Sequence, residues 1–191
     1  MTFRDRATEQ VYQPAEDSDL LARVAADGID GGRVVDVGTG SGYVAARVAE
    51  ATGADVVGTD LSPLAVRAAR ERGVPVVRGD LLEPIRGPVQ AVTFNPPYLP
   101  TDPDAEWDDW MEHALSGGPD GRRLIDPFLD DLPRVLAPAG RAYLLVSTLT
   151  GVDGVRERVR ENGLAADGVA EESFPFETLV VLEITHGNQT K

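Results

Sequence analysis

The chain has 191 residues, no cysteine and a formal charge of −14, from 18 Lys and Arg against 32 Asp and Glu; 42% of it is apolar. That length suits one domain with a real core, and the lack of Cys excludes disulfides, zinc thiolates and thiol nucleophiles. The two histidines, His113 and His186, leave no room for a His-based catalytic cluster, and no apolar run approaches the ~20 residues of a membrane span. In chain order, a helix is predicted over 15–26, with Leu20, Leu21 and Val24 on one side, then a short apolar strand over 33–37. A helix over 42–52 and a strand over 55–60 follow. Ser62-Pro63 opens a helix that Gly73 ends, with proline in the first turn. Strands are predicted over 75–80 and 89–94, a helix over 120–136 that stops at Pro138-Ala139-Gly140, a strand over 141–148 and a helix over 152–162. The last strands are 168–174 and 178–184.

Strands alternating with helices predict a single-domain, Rossmann-like α/β fold with a seven-stranded, mostly parallel sheet and helices on both faces. Only Pro175-Phe176-Glu177 join the last two strands. So short a link turns the chain back, so the C-terminal strand is expected to be antiparallel. One domain is expected over 1–191, with 1–10 and 186–191 as flexible ends. The charged N-terminus is no signal peptide, and a cytoplasmic location is expected.

In such sheets ligands bind beyond the carboxyl ends of the strands. The first strand runs into Asp36-Val37-Gly38-Thr39-Gly40-Ser41-Gly42. Glycines let a backbone turn tightly and approach a ligand. The spacing is G-x-G-x-G rather than the G-x-G-x-x-G of dinucleotide sites. An acid two residues before the first glycine, pointing at the pocket, suits a cationic ligand rather than a pyrophosphate. S-adenosylmethionine carries an amine and a sulfonium and no phosphate. Asp60 ends the second strand, where a carboxylate can accept both ribose hydroxyls. Asp80, in Gly79-Asp80-Leu81, could accept from an adenine amino group. Together these acids and glycines form a nucleoside pocket.

The fourth strand ends in Asn95-Pro96-Pro97-Tyr98. A turn explains the prolines but not the ordered set. An amide nitrogen is a weak nucleophile because its lone pair is delocalised. The Asn95 side-chain oxygen and the Pro96 carbonyl can each accept one N–H of a planar amide or amine. Catalysis is then positioning and electrostatics. Tyr98 can stack on the planar group, and Pro96-Pro97 stiffen the loop.

These residues resemble the class I S-adenosylmethionine-dependent methyltransferases, and the N-P-P-Y tetrad resembles their amino-methylating branch. Val11-Tyr12-Gln13-Pro14-Ala15-Glu16-Asp17-Ser18 is similar to the opening motif of the HemK-like glutamine methyltransferases of archaea and eukaryotes. Ser116-Gly117-Gly118-Pro119-Asp120-Gly121-Arg122 and Glu177-Thr178-Leu179-Val180-Val181-Leu182 resemble two further segments of that family, so the likeness runs from Val11 to Ile184. The resemblance implies methylation of the glutamine amide in the Gly-Gly-Gln tip of a class I translation release factor. It implies that Ser18, Asp36, Gly38, Gly40, Asp60, Leu61, Asp80, Leu81 and Asn95 contact S-adenosylmethionine. It further implies that Tyr12, Pro14, Asn95, Pro96, Pro97 and Tyr98 hold the substrate, with Asn95, Pro96 and Tyr98 catalytic. It implies the short form, without the N-terminal helical domain of bacterial members. A small zinc-binding activator protein is expected as heterodimer partner, near the second and third strands, where Val56, Val57, Val74, Val76 and Val77 cluster. No metal site is expected in this chain.

Every base except Lys191 is arginine, and a dispersed acidic excess with almost no lysine resembles salt-adapted, halophilic proteins. Such a chain is a poor binder of bare nucleic acid, because phosphate contacts need clustered Lys and Arg. An alternative substrate is nonetheless a nucleic-acid amine, adenine N6 or guanine N2, since N-P-P-Y serves planar amines equally; protein lysine is another. Asp102, Asp104, Glu106, Asp108, Asp109 and Glu112 crowd six acids into 102–112. That stretch reads either as a lid that docks a basic protein surface or as a solvated loop. Gly117, Gly118, Arg122 and Arg123 read either as a turn and helix start or as part of the substrate wall.

Overall fold

A computed structural model describes residues 16–98, 100 and 117–187. The apolar stretch Arg33–Val37 forms β1, buried on both faces apart from its first residue. A strand covered on both sides needs apolar residues at successive positions, which is why this run does not alternate. The other elements are α1 (Glu16–Gly28), α2 (Tyr43–Thr52), β2 (Asp55–Asp60), α3 (Pro63–Glu71), β3 (Val76–Arg78) and β4 (Val89–Phe94). They continue with α4 (Ile125–Val135), β5 (Leu136–Ser147), a 3₁₀ turn (Thr148–Thr150), α5 (Val152–Glu161), β6 (Leu164–Ser173) and β7 (Thr178–His186). The seven strands form one sheet in the order β3-β2-β1-β4-β5-β7-β6. The pairs from β3 to β5 are parallel, and β7 lies antiparallel to both β5 and β6.

Each sheet face has its own core. On one, Phe128, Leu129, Leu132 and Val155 of α4 and α5 pack on Val35, Val92, Phe94 and Leu144. On the other, Leu21, Val48 and Val66 of α1, α2 and α3 pack on Val34, Val56, Ala91 and Leu145. Helix ends follow local chemistry. Ser62 caps α3 by accepting from Ala65 N, with Pro63 in the first turn. Gly53 ends α2 in the left-handed region, where a residue without Cβ is unstrained.

Element types and order match the sequence reading; several bounds differ. The helix predicted over 120–136 is shorter, Ile125–Val135. Residues 136–140, which include the expected stop at Pro138-Ala139-Gly140, are extended and open β5, because Leu136 pairs with Val89. Pro138 also forces Ala137 away from the helical region. β3 has only three residues. β6 starts at Leu164 because Leu164 pairs with His186. That pairing corrects the expectation of a flexible end from 186: His186 belongs to β7, and the Gly187 N–H donates to Gly163 O at 3.1 Å. No helix among the described residues is long and apolar enough to cross a membrane.

Candidate active site

The residues singled out at strand ends converge at one end of the sheet, since β1, β2, β3 and β4 run parallel. After β1, Gly38, Gly40 and Gly42 all take positive φ, 58°, 53° and 75°. This is the conformation that disfavours a Cβ. The turn is pinned from β2: Thr39 N–H donates to Thr59 O at 2.9 Å, and Gly40 N–H to Asp60 Oδ2 at 2.9 Å. Asp60 Oδ1 accepts from Ser62 N–H at 2.9 Å. Each Asp60 oxygen keeps a further lone pair, so the half-buried carboxylate can still accept from a ribose. Burial holds its pKa above the usual carboxylate value, against the pull of the Gly40, Ser62 and Leu61 N–H groups.

Asp36 is placed differently from expectation. Its carboxylate is buried, only 2% exposed, and its oxygens accept from the hydroxyls of Thr39 at 2.6 Å and Thr93 at 2.7 Å. It braces the glycine turn against β4 instead of opening toward a ligand. Burial lifts its pKa to about 6, despite those hydroxyls. Gly58 makes the brace possible, since a Cβ there would stand 2.7 Å from Thr39 Cγ2.

Beyond β3, Asp80 is exposed and Leu81 sits at φ 40°, a strained value for a residue with a Cβ. Thr59 Oγ1 holds the Leu81 carbonyl at 2.9 Å. Arg134 of α4 holds the Leu82 and Ile85 carbonyls at 2.9 and 2.6 Å. Leu61 is 52% exposed beside this loop, and its carbonyl accepts from Arg78 Nε at 3.1 Å.

Beyond β4, Pro96 is buried and Asn95, Pro97 and Tyr98 are half-buried. Asn95 Nδ2 donates to Asp17 Oδ2 at 3.1 Å and to Ser18 Oγ at 3.2 Å. Asn95 Oδ1 is buried and has no hydrogen-bond partner among the described residues. Such an acceptor costs free energy unless something else supplies an N–H. Ser18 thus stands in the site, and it brings Asp17, which sequence reasoning missed; the signal was its place between Glu16 and Ser18 in the opening motif. Tyr12 and Pro14 lie outside the described residues, as do the acidic stretch 102–112 and His113. The Gly117–Arg122 segment is a turn packed on the tetrad: a Cβ on Gly121 would stand 2.5 Å from the Tyr98 carbonyl. Of the valines expected at a partner face, Val56, Val74 and Val76 are core residues, whereas Val77 is 44% exposed.

A methyltransferase-domain family model matches residues 34–113. Over 179 residues the chain is 34% identical to a Methanocaldococcus jannaschii protein named for N5-glutamine methylation, covering 91% of this chain and 90% of that one. It is 31% identical to human methyltransferase HEMK2, covering 94% and 91% of the two chains. The chain belongs to the HemK2-like N5-glutamine methyltransferase family. S-adenosylmethionine is therefore its methyl donor. Among solved structures, the E. cuniculi Mtq2–Trm112 complex, described as methylating the eRF1 translation termination factor, matches with a TM-score of 0.77 and 30% identity over 93% of this chain and 99% of that one. The Deinococcus radiodurans release factor glutamine methyltransferase is 39% identical, but the match spans only 44% of its length.

This site fits the methyl donor by its chemistry. It offers a glycine turn with positive φ, a carboxylate with spare lone pairs at Asp60, and an orphaned buried acceptor at Asn95. No phosphate-binding lysine or arginine is needed, and none stands in the turn.

Proposed function

We propose that this HemK2-like enzyme methylates the side-chain amide nitrogen of the glutamine in the Gly-Gly-Gln tip of a class I release factor. The observation that carries this reading is Asn95 Oδ1, buried and without a partner among the described residues, at the end of β4. Its neighbours Asp17 and Ser18 occupy Nδ2, so what Asn95 offers a substrate is an acceptor. A glutamine amide has two N–H groups in one plane; Asn95 Oδ1 takes one and the Pro96 carbonyl the other. Bound S-adenosylmethionine supplies an electrophilic methyl group on a sulfonium. The two acceptors hold the amide nitrogen in line with it and draw electron density toward nitrogen. The C–N bond would form as the methyl–sulfur bond breaks, with its electron pair staying on sulfur, and one amide proton would leave to water. Tyr98 stacks on the amide, with Pro97 stiffening the loop and Tyr12 and Pro14 completing the substrate side.

For the donor, Gly38 and Gly40 form the cradle, Asp60 accepts the ribose, and Asp80, Leu61 and Leu81 frame the adenine. Ser18 and Asn95 reach the methionine end, and Asp36 supports the turn. We further propose a zinc-binding, Trm112-type activator as partner. Among the described residues β3 is a sheet edge paired with β2 alone; its Val77 is exposed, as is Leu61. The acidic surface suits a halophilic cytoplasm.

The test is methyl transfer from labelled S-adenosylmethionine to the organism's own class I release factor, at high salt, with and without the activator. A Gln→Ala factor at the Gly-Gly-Gln tip is the control. Label on the wild-type factor alone is expected. Asn95→Ala should lower kcat by about 10²–10³. Equal labelling of the Gln→Ala factor refutes the glutamine assignment.

A further inference from the structure

Asn95 poses a question that its own sequence position does not answer. An amide can present either its oxygen or its NH₂, and the chemistry requires the oxygen. Ser18 Oγ, 3.2 Å from Nδ2, does not decide, because a hydroxyl both donates and accepts. Asp17 does decide. It lies in the first turn of α1 and is 6% exposed. Its Oδ1 accepts from the Ser18 N–H at 2.6 Å, and its Oδ2 faces Asn95 at 3.1 Å. A carboxylate only accepts, so the group facing it must be NH₂. Asn95 Oδ1 is thereby turned away from α1 and left, in its buried position, without a partner among the described residues.

We propose that Asp17 is a positioning residue that locks the Asn95 amide with its oxygen toward the substrate nitrogen. The inference rests on the reading of Asn95 given above. It adds that the orientation is imposed by the charge of a residue 78 positions earlier, at the start of α1. Asp17 itself touches neither reacting atom.

Asp17→Asn tests it. The Ser18 N–H keeps the new side chain's oxygen, so its NH₂ faces Asn95. Asn95 then flips to offer oxygen to α1, and its own NH₂ meets the substrate N–H. Turnover should fall about 10- to 100-fold, the effect of one lost acceptor and an opposed donor. The dissociation constant of S-adenosylhomocysteine, measured by calorimetry, and the Tm should stay within error. In the Asn95→Ala background the same substitution should cost nothing more, because a residue acting through Asn95 has nothing left to act on.

Four results separate the claims. If Asn95→Ala stays active, the reading of Asn95 falls and the role of Asp17 with it. If Asn95→Ala is inactive while Asp17→Asn turns over normally, only the role of Asp17 falls. Weakened cofactor binding at unchanged kcat makes Asp17 a cofactor ligand and overturns the inference. Loss of cooperative melting, or a further drop in the double variant, makes its role structural and overturns it equally.

Discussion

Asn95→Asp examines the same contact through its electrostatics. The substitution keeps the shape and puts an oxygen where Nδ2 stood, 3.1 Å from Asp17 Oδ2. Two charges at that distance repel by about 5 kcal/mol at an effective dielectric constant near 20, on the order of four pKa units. Both carboxyls cannot be ionised near neutrality, so the pair shares a proton. In the unfolded chain the two separate and titrate near pH 4. The folded pair therefore holds a proton to higher pH than the unfolded chain. Stability relative to wild type is greatest below about pH 4 and falls by about 1.4 kcal/mol per unit as pH rises, until the pair's own apparent pKa is passed. Urea denaturation of both proteins from pH 5 to 8 measures this, and the difference cancels every other titrating group. Turnover offers a second signature. With the proton between the two carboxyls, the outer oxygen still accepts, so the variant imitates the amide. That oxygen accepts in either protonation state of the pair, so the variant should keep part of the wild-type turnover across this pH range. Stability curves that stay parallel across this range would refute the Asp17–Asn95 contact, and the inference built on it.

Three further outcomes follow from other parts of the site. Gly58→Ala places a Cβ within 2.9 Å of three Thr39 atoms; it should cost about 1–3 kcal/mol in urea denaturation and raise the KM for S-adenosylmethionine, and unchanged values of both would refute the brace. Arg134→Met frees the Leu82 and Ile85 carbonyls and loosens the loop that carries Leu81; the KM for the cofactor should rise about three- to tenfold with kcat unchanged. Asp36, with its pKa lifted to about 6, binds its proton more tightly folded than unfolded; this group should cost the ligand-free protein about 2 kcal/mol as pH rises from 4 to 6, and Asp36→Asn should remove that contribution.

What could be read from the chain was whatever rests on neighbours in sequence. Val34 to Val37 are an apolar run and α3 opens on Ser62-Pro63; both are local signals, and both elements form. The candidate site was legible for the same reason. Gly38 to Gly42, Asp60, Asp80 and Asn95 lie at or just past strand ends, and parallel pairing sends all four to one end of the sheet. The antiparallel turn at Pro175-Phe176-Glu177 followed from its length alone.

Residues far apart in sequence decided the rest. Leu136 to Gly140 lengthen β5 because Leu136 finds Val89, and His186 joins β7 by meeting Leu164; no local pattern signals either partner. Asp36 looked like a ligand-facing acid from its place before Gly38, yet Thr93, 57 residues later, and Thr39 draw it inside. Gly58 leaves the space that Thr39 fills, a contact no local pattern signals. The NH₂ of Asn95 meets Asp17 only because α1 returns over the end of β4. A tetrad motif states which residue holds the acceptor. Which way that acceptor faces is an energy difference between two orientations of one amide, and it exists only once a carboxylate has been packed beside it.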